Sequence, residues 1–314
     1  HTIIFASIRK EESLMDMIKL MRKTVYLLLL MGIVQVVSVC SIISIPEQKN
    51  NKPQKYALLI GGGITEGDNF ESYYKNVEYA ANTIKKFGYC DENITTLFFG
   101  GKTPNHPIVE GNATKENFIY ELRHLGQTID SNDSLVIFRT GHGMVEIILE
   151  KYPNNRHGLG IESIKCVGTA AVMRFPDGDL SHLEFQGILE KIKGKQIIVI
   201  LNQCFAGRFT DIAMSLDNTV IITETEESEM AIKLKRKTLR WKHDEWPFVK
   251  CIFDGFSQKS TKGIKQSVFN AYQYLLICNP YIKGVPIHAD RPLLKENPQI
   301  KYGSSLKKGA VYLN

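Results

Sequence analysis

Two stretches decide the architecture: Gln196-Ile-Ile-Val-Ile-Leu-Asn-Gln-Cys204-Phe-Ala-Gly207 and, upstream, Ser134-Leu-Val-Ile-Phe-Arg-Thr-Gly141-His142-Gly143. Each runs an unbroken apolar segment of strand length into a residue able to do chemistry, flanked by glycine. A strand that is apolar on both alternations is buried on both faces, as in a parallel sheet covered by helices. In an open sheet of that kind the ligand site lies outside the carboxyl ends of the strands. If the two strands are neighbours, a thiol and an imidazole emerge side by side at that edge.

Working outward, strand and helix patterns alternate. Tyr56–Ile60 reads as a strand closed by Gly61–Gly63, and Val77, Ala80, Ala81, Ile84 and Phe87 recur at helical spacing. Ile94–Phe99 is a second strand, Phe118, Leu122, Leu125 and Ile129 mark a second helix, and Leu135–Arg139 is the third strand. Phe185, Ile188, Leu189 and Ile192 mark a third helix opened by a Ser181/Glu184 capping box. Gln196–Leu201 and Val220–Ile222 are the fourth and fifth strands, followed by helices through Val249–Phe256 and Val268–Leu275. The expected fold is α/β, a doubly wound and mostly parallel sheet with helices on both faces.

At 314 residues, 43% hydrophobic and 23% charged, the chain has an ordinary globular composition, and its net charge of +6 is mild for that length. The densest basic region, Lys233–Lys242, contains Leu234, Leu239 and Trp241 and reads as a solvated face, so no nucleic-acid partner is expected. Residues 1–20 are set apart as an N-terminal extension. Residues 21–45 open with Met21-Arg-Lys-Thr and continue without charge from Val25 to Ile45, the pattern of a signal peptide or of a membrane anchor through residues 25–45. Residues 46–54 form a polar linker and residues 55–314 the folded domain, expected to be secreted or membrane-anchored. Of six cysteines, Cys40 lies in the export segment and Cys204 ends a strand; Cys90, Cys166, Cys251 and Cys278 show no metal-type spacing and leave room for one disulfide.

Gly61, His142 and Cys204 each follow a strand end, so they converge on one sheet edge. An imidazole beside a thiol raises the reactive thiolate population and can return the proton to a leaving amine. Cys204 is therefore the candidate nucleophile and His142 the general base and acid, with the backbone amides of Gly143 and Cys204 available to an oxyanion.

The succession strand, Thr140-Gly141-His142-Gly143, strand, Gln203-Cys204-Phe205-Ala206-Gly207 resembles the caspase-like cysteine peptidases, the clan of legumain, the GPI-anchor transamidase, metacaspases, gingipains and caspases. The likeness spans residues 55–280. Tyr74-Lys75-Asn76, Cys90-Asp91-Glu92-Asn93-Ile94 and Thr114-Lys-Glu-Asn-Phe118 are most similar to legumain and the transamidase, while Thr223-Glu-Thr-Glu-Glu-Ser228 resembles a loop of prokaryotic caspase-like proteins. The resemblance implies a caspase-type sheet, a Cys–His dyad and a protein or peptide substrate cleaved after a selected P1 residue, with no metal or other cofactor. Three positions depart from the pattern. Ala206 stands where relatives often carry Ser. Asn202, two before the nucleophile, replaces the acid or Gln that lines the S1 pocket; with Lys75 at the basic S1 position and Glu224 or Glu226 within reach, the resemblance implies a polar or acidic P1. Tyr73 stands where legumain has the asparagine that orients the histidine.

Other motifs fail on spacing. Gly61-x-Gly63-x-x-x-Gly67 is not a dinucleotide fingerprint, and Gly101-Lys102-Thr103 lacks the first glycine of a phosphate loop. Asp177-Gly-Asp179 is explained by a turn before a capped helix rather than by calcium. His124 and His182 are expected at the surface. The functional expectation is an exported cysteine endopeptidase acting through a thioester, with transpeptidation as a variant; the alternative is a catalytically silent caspase-like domain serving as a binding or envelope-associated scaffold.

Overall fold

The structure is a computed structural model and describes residues 21–26, 52–153, 162–231, 246–258, 267–283 and 296–313. The chain divides into two units, His1–Lys52 and Pro53–Asn314. Of the first, residues 21–26 are helical; most of the apolar run at 25–45 lies outside the described residues, as does Lys233–Lys242. Among the described residues no helix is long and apolar enough to cross a membrane.

The second unit is built on strands β1 (Lys55–Gly62), β2 (Ile94–Phe98), β3 (Gly111–Asn112), β4 (Ser134–Gly141), β8 (Gln196–Asn202), β9 (Thr219–Thr223) and β10 (Gln299–Tyr302). Their order is β10-β9-β8-β4-β1-β2-β3, all neighbours parallel except β10 on β9. The fold class is the one expected, a doubly wound and mostly parallel sheet. All eight residues of β4 and all seven of β8 are buried. Along them alternate residues serve opposite faces, the two-residue period of a strand. Val136, Phe138, Ile198 and Ile200 pack with helices α1 (Glu71–Lys85), α5 (Pro247–Ser257) and α6 (Val268–Cys278) on one side. Leu135, Ile137, Ile197, Val199 and Leu201 pack with α2 (Lys115–Thr128), α3 (His182–Leu189) and α4 (Thr210–Ser215) on the other. Each such side chain contributes about 1.5–3 kcal/mol of burial, which is why the register of these strands is fixed.

The helices follow from their patterns. In α1, Tyr73, Val77, Ala80, Ala81 and Ile84 form one buried stripe. The Ser181/Glu184 capping box opens α3, with both reciprocal bonds present. Pro247 occupies the first turn of α5, where its missing N–H costs nothing. Cys251 of α5 and Cys278 of α6 form the disulfide for which the spacing left room, and Cys90 and Cys204 are free.

Sequence periodicity missed the second sheet, β5 (Gly143–Pro153), β6 (Glu162–Phe175) and β7 (Gly178–Ser181), an antiparallel hairpin plus return strand. It also missed β10, whose Gln299-Ile-Lys-Tyr302 is too short and polar to signal an edge strand. Asp177, in the β6–β7 turn, caps α2, its carboxylate accepting from the amides of Lys115 at 2.6 Å and Glu116 at 3.1 Å. His182, expected at the surface, is buried instead: as first residue of α3 it packs edge-on against Phe209 under the hairpin. His124 is exposed.

Candidate active site

In the doubly wound order the strand sequence reverses between β1 and β4, and ligand sites form at such a switch point. β4 pairs in register with β8 through Thr140 opposite Asn202. His142 and Cys204 therefore each stand two residues beyond one paired position, on adjacent strands about 4.8 Å apart. The approach is close enough that a Cβ at Gly143 would overlap the Cys204 carbonyl oxygen, so glycine is required there.

The imidazole is held by the β1–α1 connection. Tyr73 of α1 places its hydroxyl 3.4 Å from His142 Nε2 and meets the ring edge-on, with centroids 5.8 Å apart. Trp246 stacks on the other side of Tyr73 at 5.9 Å. Asp68 Oδ2 lies 3.8 Å from Nε2, while its Oδ1 accepts from the amides of Ile64 and Thr65 and so fixes the turn that carries it. Burial lowers the His142 pKa, and only in part does the Asp68 carboxylate oppose it. The imidazole is accordingly neutral at pH 7, the form able to accept a proton. Tyr73, raised by burial, stays a phenol. Tyr73 thus contacts the histidine directly.

Beneath both strand ends lies Arg139, 2% exposed. Its guanidinium donates to the carbonyls of His142 at 2.9 Å and Arg174 at 2.7 Å, and to the side chain of Gln203, next to Cys204. Burial lowers its pKa to about 9. A fork of five donors is the group that can satisfy three acceptors from different segments at once. Sequence reading took Arg139 only as a strand end; a charge inside an otherwise apolar strand was the available signal.

The thiol side is held by the segment after β9. Ala231 N–H donates to Cys204 Sγ at 3.3 Å, and Phe205 N–H to the Glu229 carbonyl at 2.6 Å. Thr225 Oγ1 accepts from Ala206 N–H at 3.0 Å and donates to the Gln203 carbonyl at 3.2 Å. Phe205 sits in the left-handed region at φ 56°, a conformation that non-glycine residues adopt when surrounding contacts impose it. A Cβ at Gly207 would overlap the backbone of Glu226 and Glu227. Burial raises the Cys204 pKa, with the Ala231 amide opposing it. Burial thus favours the uncharged form of both side chains.

The candidate S1 residues are only partly brought together. Asn202 and Glu224 are buried and bonded together: Asn202 Nδ2 donates to Glu224 Oε2, while Asn202 Oδ1 accepts from Thr140 Oγ1 and, at 3.3 Å, from Asn76 Nδ2. Lys75 is exposed, and the α1 residue that reaches Asn202 is its neighbour Asn76. Glu226 is exposed. Beside Phe205, a groove of about 240 Å³ opens between the hairpin (Val145, Ala171) and the loop after β9 (Glu227, Ser228), with Arg208 at its rim. Among the described residues no group of histidine, cysteine and acidic side chains is placed to hold a metal ion.

No family model matches the chain, and no curated protein does. Among solved structures, the crystal structure of protein GSU0716 from Geobacter sulfurreducens is similar at a TM-score of 0.51 and 12% identity, over 83% of this chain and 99% of that one. At that identity the likeness carries the fold and nothing of the chemistry.

Proposed function

We propose that the protein is a cysteine endopeptidase of the caspase-like kind, with Cys204 as nucleophile and His142 as general base and then acid. The observation that carries this reading is the register: a thiol and an imidazole two residues beyond the paired Thr140 and Asn202, with a glycine between them that tolerates no side chain. Nothing in strand or helix formation asks for that arrangement.

His142 takes the Cys204 proton as sulfur attacks the peptide carbonyl carbon, and the amides of Gly143 and Cys204 receive the oxyanion. Collapse breaks the C–N bond, and the imidazolium returns its proton to the departing amine. Water, or the amine of a second peptide, then resolves the thioester. No step calls for a metal. The Cys251–Cys278 disulfide supports an exported setting, because such bonds persist in oxidising compartments.

The test is labelling of the purified protein with acyloxymethyl ketone peptides varied at P1, read by intact mass. Labelling that requires both Cys204 and His142 is the expected result, and the preferred P1 side chain reports what the pocket selects. A folded protein that takes no label at any P1 or pH would replace this reading with the silent scaffold, to which the half-buried, amide-capped thiol would then belong.

A further inference from the structure

The hairpin face that meets the Cys204 turn continues outward from it. Gly143 pairs with Met173 and Val145 with Ala171, so these four residues, and Thr169 two before Ala171, belong to one face of β5 and β6. At Gly143 that face abuts the Cys204 carbonyl. Two residues farther along it forms one wall of the groove of about 240 Å³, through Val145, Ala171 and Thr169, and Phe205, the residue after Cys204, lines the groove as well. The groove therefore adjoins the backbone that carries both candidate oxyanion donors, the amides of Gly143 and Cys204.

The lining favours one kind of occupant. Val145, Ala171 and the half-buried Phe205 present hydrocarbon, and Thr169 is exposed. Arg208, the cation at the rim, is already engaged: its Nη1 lies 3.1 Å from Glu227 Oε2 and its Nε 3.6 Å from Asp211 Oδ2. Two carboxylates around one guanidinium leave no positive charge for an acidic side chain to meet. A basic side chain gains little either, because Glu227 is spent on Arg208, and an ammonium moved against Val145, Ala171 and Phe205 leaves water without a partner. An apolar side chain has no such cost and gains the burial. The volume falls below the range of about 300–1,000 Å³ typical of a site for a whole small ligand, and suits one side chain of a longer chain.

We propose that this groove receives one bulky apolar side chain, of the size of leucine, from a residue flanking the scissile bond of a peptide substrate. The inference rests on the peptidase reading and names the substrate class for it. Asn202 and Glu224, the S1 residues that the resemblance implies, are buried and bonded to each other, so selection falls to aliphatic contact rather than to charge. Val145, Thr169 and Ala171 are the specificity-determining residues.

Two measurements test this. In Cys204→Ala protein, the methyl resonances of Val145 and Ala171 are followed while acetyl-Ala-Ala-Leu-Ala-Ala-amide is added, and then its counterparts with aspartate or lysine in place of leucine. The leucine peptide is expected to shift both methyls at concentrations at least about tenfold lower than the other two. In the unaltered protein, the same peptides are expected to be cleaved beside the leucine, with the bond located by mass, about tenfold to hundredfold faster than beside aspartate or lysine. Thr169→Trp fills the groove and should bring that ratio toward one; Val145→Phe serves if Thr169→Trp does not fold. Methyls that stay unmoved by the leucine peptide, or that move as readily with the aspartate peptide, would overturn the inference, as would a leucine preference that persists in the filled groove. Leucine binding at those methyls in a protein that cleaves nothing would leave the groove standing and sink the peptidase reading. Cleavage whose preference ignores the filled groove would do the reverse.

Discussion

The two strand ends that make the site are alike in register and opposite in how they are held. At the β4 end the imidazole ring itself is gripped, by Tyr73 and Asp68 from the β1–α1 connection, with Arg139 fixing the carbonyl below it. At the β8 end it is mainly the backbone that is gripped: Phe205, Ala206 and Gly207 are bonded to or packed against residues 224–231, and a single amide touches the sulfur. On the proposed reading the base needs its ring aimed, whereas the nucleophile on its sharp turn needs the turn kept. The first task falls to side chains preceding the site in sequence, the second to segments far beyond it.

The largest effect expected is at the reacting atoms. Cys204→Ala is expected to abolish labelling and turnover, and His142→Ala to lower the acylation rate by about 10²–10⁴, both measured with the best P1 peptide. Equal residual rates with and without His142 would break the comparison, since a ring aimed with such care would then do nothing.

Gly143→Ala comes next. Its Cβ drives the β4 end away from the Cys204 carbonyl, and a displacement of about 1 Å between reacting groups costs about 10²-fold in rate. Circular dichroism should show the fold retained, so the loss belongs to the spacing of the two ends.

Arg139→Met tests the anchor common to both. It strands the carbonyls of His142 and Arg174 and the Gln203 side chain, with an expected cost of about 3–5 kcal/mol in denaturant unfolding. A stability loss without any change at Cys204 would show that Arg139 serves the β4 end alone.

The smallest effects sharpen the aiming of the ring. Tyr73→Phe removes the hydroxyl facing Nε2 and is expected to lower the rate by about threefold to tenfold, the worth of one hydrogen bond. In kcat/KM against pH, the acid limb is expected below the ordinary histidine value of about 6.5, because burial disfavours the imidazolium. Asp68→Asn removes the charge that partly opposes that shift and should move the limb lower still, by under about one pH unit. Stability follows the same group: a histidine lowered on folding costs stability only in acid, so the protein firms as pH rises toward 6.5 and then levels on this account.

The sequence by itself determined the sheet and the place of His142 and Cys204 at its carboxyl edge. The runs at 134–141 and 196–202 are apolar on both alternations and admit one environment, and the helices between them carry their stripes and caps in plain order. These are local signals, readable because the period of a strand or helix is set by its own backbone. Tertiary structure alone decided what surrounds the pair. The hairpin after His142 and the edge strand at Gln299–Tyr302 are stabilised by partners remote in the chain rather than by their own pattern. Asn202 and Glu224, read as pocket residues, lie in a buried network with Asn76 and Thr140, and the groups that hold His142 and Cys204 come from Asp68, Tyr73, Arg139, Thr225, Glu229 and Ala231. A polar side chain in a one-dimensional string does not say whether it faces water or another buried polar group. That depends on which distant segments the closed sheet brings against it, and a buried polar atom must find its partner there or forfeit the free energy of leaving water.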